Sequence, residues 1–127
     1  MTEYLDRDDV LTAGALAVGH VQEVGDFGLL DAAVARPRAT VYGVDAYPDL
    51  YTKAAALLQS LARNHALVDG DKRTAWASAW TFLYINGIEL APAFDVDTAE
   101  QFVYNVSERS ELTVDDIAHT LASFAVS

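Results

Sequence analysis

Residues 49–64, DLYTKAAALLQSLARN, constrain the fold more than any other stretch, because Ala54, Leu57, Leu58 and Leu61 recur at spacings of three and four. That period lines them up along one face of an α-helix, and an apolar face of that kind must be buried against a neighbour. The same signature returns along the chain. Residues near Asp8 to Val18 form an apolar-periodic segment, and Asp26 is placed to cap a second helix, FGLLDAAVAR, which Pro37 ends. Asp71 to about Tyr84 reads as a helix whose Ala75, Ala79, Trp80 and Leu83 form the buried stripe, stopped by Asn86-Gly87. DTAE at Asp97 to Glu100 carries a capping pattern for a fifth helix, and Thr113 with Asp116 carries one for a sixth. Thr40 to Tyr42 is β-prone, and ahead of Gly43 it is too brief to found a sheet but suits a flap or half of a small hairpin. The expected architecture is all-α: a compact bundle of about six helices with a short β flap, residues 1–127 forming a single domain.

Charge narrows the partners. A formal net charge of −11 opposes direct binding to nucleic acid or to an anionic membrane, both of which demand positive potential at the contact. Six basic residues (Arg36, Arg38, Lys53, Arg63, Lys72 and Arg73) fall within one stretch, whereas Gly87 to Ser127 sets Arg109 alone against a run of acids. On that distribution a small anion such as a phosphate is the expected ligand. The absence of cysteine excludes a disulfide framework and a thiolate zinc site and fits a reducing compartment. MTEYLDRDDV has no basic segment followed by an apolar one, and no window reaches the roughly 18 apolar residues of a membrane span, so a soluble, cytoplasmic chain is expected.

Against this packing material the stretch NHALVDGDKR, Asn64 to Arg73, stands out. It connects two core helices: His65 ends the first, Asp69-Gly70 makes the reversal, and Asp71, Lys72 and Arg73 occupy the first turn of the second. A helix start presents unpaired N–H groups and the positive end of the dipole, which together attract an anion. Cations placed there oppose the dipole, at about 0.3–1 kcal/mol each unless an anion offsets them. Lys72 and Arg73 therefore point to a bound phosphate. Asp69 is a hard oxygen ligand suited to Mg²⁺, and His65 is near enough to serve as general base toward a hydroxyl. Base, metal ligand and phosphate clamps are the parts a phosphoryl or nucleotidyl transferase needs. His20, His119, Trp76, Trp80 and Phe82 lack such company and read as structural.

HALVDGDKR resembles the signature of the Fic/Doc family, H-x-F-x-D-[G/A]-N-[G/K]-R, and is similar to the Doc branch in carrying lysine at Lys72. The resemblance runs from about Gly25 to Leu90. It implies that His65 deprotonates the target hydroxyl, that Asp69 binds Mg²⁺, and that Gly70, Asp71, Lys72 and Arg73 surround the phosphates of ATP. It also implies that Thr40, Val41, Tyr42 and Gly43 form a flap that docks the target segment by strand addition. Doc proteins are toxins of toxin-antitoxin modules that phosphorylate a threonine of elongation factor Tu and halt translation. Their partner is a Phd-like antitoxin, whose tail folds onto a groove of the toxin. Two positions depart from the signature. Leu67 replaces the phenylalanine, a change a buried apolar site tolerates. Asp71 replaces the asparagine, exchanging an amide donor for a carboxylate that only accepts and that repels phosphate. Two other functions stay open: a Fic-type adenylyltransferase, and a weakened module that only binds antitoxin. The Fic branch has glycine at the Lys72 position and a second arginine at that of Trp76, whereas Asp71 favours the module.

Overall fold

The computed structural model describes residues 1–126. Helices α1 (Arg7–Val18), α2 (Phe27–Ala35), α3 (Leu50–Arg63), α4 (Asp71–Ile85), α5 (Val96–Glu108) and α6 (Val114–Ser123) form the bundle. A single 3-10 turn, Arg36–Arg38, and a hairpin of β1 (Thr40–Val41) and β2 (Val44–Asp45) separate α2 from α3. The mostly helical bundle with a short β element is the one the periodicity predicts.

Helix α3 is the axis of the molecule. Asp49 caps it through a capping box with Thr52, satisfying backbone donors at both positions. Every residue from Thr52 to Ala62 is buried, so α3 is covered all round and not only on its leucine stripe. Helices α4, α5 and α6 and the 3-10 turn all pack on it, while α1 closes over α4. Leu57, Leu58, Leu61, Phe82 and Leu83 are sealed from solvent where α3 meets α4. Each such side chain contributes about 1.5–3 kcal/mol on burial.

Trp80 and Phe82 lie in this core as expected, and Trp76 sits half-buried at its margin. There its ring meets Phe94 at 5.6 Å and Phe124 at 5.2 Å between centroids, tying α4 to the segments flanking α5 and α6. His20 and His119 are on the surface. The fifth helix starts earlier than its capping pattern suggests. Asp95, not Asp97, accepts the Thr98 N–H at 3.1 Å, and Asp97 falls in the first turn. Aspartate is favoured at both places, as a cap acceptor and as a charge facing the dipole, so the sequence pattern is degenerate there.

Thr40 pairs with Asp45 and Val41 with Val44 in an antiparallel register. The two turn residues, Tyr42 and Gly43, have φ of +51° and +77°, the left-handed pair that a two-residue hairpin turn needs. All four strand residues are exposed, and Tyr42 projects fully into solvent.

Candidate functional site at the α3–α4 connection

Asn64 is the last cap of α3, its N–H bonded to the Ser60 carbonyl at 2.9 Å. His65 then breaks the helix with φ +52°. A left-handed conformation costs a non-glycine residue about 1–2 kcal/mol, and such strain collects where a side chain must be aimed. Here it throws the imidazole outward, 80% exposed. The next two residues turn inward: Ala66 and Leu67 are buried, Leu67 filling the apolar position of the motif.

The loop is clamped from outside by the segment joining α1 to α2. Gly25 and Asp26 donate their N–H groups to the Ala66 carbonyl at 2.8 and 3.0 Å, and Val68 donates to Glu23 at 3.0 Å. Val24 and Leu67 form an isolated antiparallel bridge. Beneath them Gln22 is buried, accepting the Thr74 hydroxyl at 2.9 Å and reaching the Asp69 carbonyl at 3.4 Å. A Cβ on Gly14 would come within 2.1 Å of the Gln22 Oε1, so this glycine is what lets α1 approach α4 closely enough. Gln22, Glu23 and Val24 carry no sequence signal for this clamp, because their partners are dozens of positions away.

Gly70 is the N-cap of α4 at φ +80°, and among the described residues no side chain caps the helix. The N–H groups of Asp71, Lys72 and Arg73 thus form an open helix start. Lys72 and Arg73 are exposed, and among the described residues neither is in an ion pair. Both line a groove of about 730 Å³ between α4 and α5, together with Trp76, Phe94, Glu100 and Tyr104. The other cations of the basic stretch are not free. Arg36 bonds the Ala56 carbonyl, Gln59 and Ser60, Arg63 bonds the carbonyls of Val106, Arg109 and Leu112, and Arg38 lies 4.6 Å over the Tyr4 ring. Lys53 is buried against Asp45. Linear charge density therefore overstated the anion site: Arg36, Lys53 and Arg63 hold the fold together, and Lys72 and Arg73 remain.

Asp71 is turned back onto the loop. Its Oδ1 accepts the Leu67 N–H at 3.1 Å, and its Oδ2 lies 3.8 Å from His65 Nδ1. Burial pushes its carboxyl above the ordinary range, opposed by the Leu67 N–H and by the charges of His65 and Lys72. Both carboxylate oxygens are thus turned to the loop, while the main-chain N–H of Asp71 stays at the helix start. Asp69 is exposed, with one oxygen accepting the Gly70 N–H at 2.8 Å. Among the described residues no group of three metal-binding side chains surrounds it. The donor set fits Mg²⁺ that arrives with a nucleotide, since that ion is commonly held by one or two carboxylates plus phosphate oxygens and water.

The sequence profile of the Fic/DOC family matches residues 4–83. The chain belongs to the Fic/DOC family. It is 70% identical over 125 residues to "Toxin Doc" of Mycolicibacterium smegmatis, covering 98% of this chain and 95% of that one. It is 31% identical over 103 residues to "Protein kinase doc" of Escherichia phage P1, covering 81% and 78% respectively. The family match takes in the loop, its clamp and most of α4. The second wall of the groove, α5, lies outside it.

Proposed function

We propose that this Fic/DOC chain is a Doc-like toxin and a cytoplasmic protein kinase that transfers the γ-phosphate of ATP to a threonine of elongation factor Tu. The observation that carries the reading is the pairing of an outward-held His65 with an uncapped helix start flanked by Lys72 and Arg73. Likeness to a relative called a protein kinase supports kinase over other transfer chemistry.

In this reading Gly70 provides the left-handed turn into the helix, the N–H groups of Asp71, Lys72 and Arg73 cradle phosphate oxygens, and the two cations neutralise the charge gathering there in the transition state. Asp69 would hold Mg²⁺, which when bound neutralises phosphate charge. His65 Nδ1 faces Asp71, leaving Nε2 to take the proton from the threonine hydroxyl. The oxygen then bonds to the γ-phosphorus as the bond to the β-phosphate oxygen breaks, and ADP departs. Thr40, Val41, Tyr42 and Gly43 present the edge on which the target segment docks. The groove between α4 and α5 receives the tail of a Phd-like antitoxin, which covers Lys72 and Arg73 and silences the site.

A Fic-type adenylyltransferase requires a further arginine where Trp76 is committed to the aromatic cluster, so the α-phosphate clamp of that chemistry is incomplete. ATP labelled on either the γ- or the α-phosphate, incubated with elongation factor Tu, separates the readings. Transfer of γ label alone is expected. Transfer of α label would replace the kinase by the adenylyltransferase, and transfer of neither would leave an antitoxin-binding module.

A further inference from the structure

The hairpin is too small to hold its own position. It has two residues per strand, all exposed, and an isolated two-stranded hairpin is marginal in water. Beyond the strands, Ala46 donates its N–H to the Ala39 carbonyl at 2.9 Å. By the alternation of an antiparallel ladder, Thr40 between Ala39 and Val41 turns its N–H and carbonyl outward, toward any added strand.

What fixes that edge in space comes from α3. Lys53 projects from its first turns with a side chain only 3% exposed, and its ammonium donates to Asp45 Oδ2 at 2.9 Å and to the Tyr47 carbonyl. Asp45 is the last residue of β2, directly across from Thr40. Among the described residues it is the one acid within ion-pair distance of Lys53. A buried ammonium without its counter-charge is strongly disfavoured, so Asp45 is held wherever Lys53 puts it. Arg36 adds a second tie one step on, donating to the Tyr47 hydroxyl at 2.9 Å with its guanidinium 5.3 Å from the ring. Lys53 stands about 15 Å of helix rise before Arg63, at the end of α3 away from His65, so it is remote from the transfer chemistry.

We propose that Lys53 is a positioning residue for the protein substrate: its buried pair with Asp45 latches the hairpin so that the Thr40 edge is presented at a fixed height to a docking strand. The proposal rests on the reading of the hairpin as the docking element and assigns that element's geometry to α3. Loosening the latch lowers the fraction of docking-competent hairpin and therefore raises KM for the protein substrate. Nucleotide binding at the other end of α3 is untouched.

Amide hydrogen exchange and steady-state kinetics on the full chain test it. In Lys53→Met, exchange over residues 39–46 is expected to accelerate about tenfold or more, with residues 54–62 unchanged. KM for elongation factor Tu is expected to rise about tenfold, while kcat and the dissociation constant for ATP stay within roughly twofold. Asp45→Asn should reproduce both effects, and the double variant should be no worse than Lys53→Met alone. Unchanged hairpin exchange, or faster exchange with unchanged KM, overturns the proposal. Should Lys53→Met disturb α3 itself, Asp45→Asn changes no residue of α3, leaves the Lys53 ammonium its bond to the Tyr47 carbonyl, and decides by the same two readouts. Thr40→Pro separates the two layers of inference. It removes the outward N–H at a position whose preceding residue, Ala39, already has the extended conformation a proline tolerates. If Thr40→Pro leaves KM unaltered, docking by this edge is wrong, and hairpin exchange alone then decides the latch. If it raises KM and Lys53→Met does not, only the latch fails.

Discussion

Gly14→Ala sets two physical effects against each other, and the structure decides which wins. By helix propensity alone the change in the middle of α1 stabilises, by about 0.5–1 kcal/mol. The new Cβ, however, would lie 2.1 Å from Gln22 Oε1, 2.5 Å from Thr74 Oγ1 and 2.9 Å from Thr74 Cγ2. Gln22 has to move, which breaks its bond to Thr74 and strands a hydroxyl on a residue with no solvent access. Leaving that group unsatisfied costs about 1–3 kcal/mol, and overpacking at the α1–α4 contact costs about 1–3 kcal/mol more. Set against the propensity gain, the net expectation is a loss of about 1–5 kcal/mol. Urea unfolding followed by circular dichroism measures it as a lower midpoint at unchanged slope. Because Gln22 also reaches the Asp69 carbonyl and packs beside Gly70, the same variant should lose phosphate transfer well beyond its loss of folded protein. Combining it with Gln22→Ala should cost less than the two changes summed. A Gly14→Ala protein as stable as the parent or more so would refute the close approach of α1 to α4.

Three further outcomes follow from the site. His65→Gly should raise stability by roughly 0.5–1 kcal/mol by relieving the left-handed φ, and should cut transfer by about 10²–10⁴, as should His65→Ala without the gain; a fully active His65→Ala would remove the imidazole from the mechanism. Asp71→Asn retains an acceptor for the Leu67 N–H and removes a carboxylate whose pKa burial has raised. A raised acid contributes most below the ordinary carboxylate pKa of about 3.9 and loses that contribution as pH rises through its folded value, so in metal-free buffer the variant should be the more stable at pH 7 and match the parent below about pH 4. Losing one negative charge beside the helix start should also tighten ATP binding by calorimetry, and weaker binding would show that the carboxylate itself holds the nucleotide or its ion. Finally, expression without an antitoxin should arrest translation, read as loss of amino-acid incorporation; normal incorporation with soluble protein present would favour the binding module.

The helices, their order and the loop of the candidate site were all legible in the sequence, because period, caps and turn dipeptides act over a few residues. The leucine stripe of α3, the Asp49 and Thr113 caps, the Asp69-Gly70 reversal and the cluster from His65 to Arg73 are local in this sense. Only tertiary structure decided what each charge does. Arg36, Lys53 and Arg63 look like Lys72 and Arg73 in a linear reading, yet the first three meet carbonyls, hydroxyls or a carboxylate that other segments bring to them. Asp71 likewise reads as a carboxylate aimed at a phosphate until the Leu67 N–H and the His65 ring are placed beside it. Gln22 and Gly14 carried no signal at all, since a buried hydrogen bond to Thr74 joins residues 52 positions apart. The physical reason is the same in each case: a side chain's period is fixed by its own helix, but its electrostatic and hydrogen-bonding role is fixed by the partner that packing supplies.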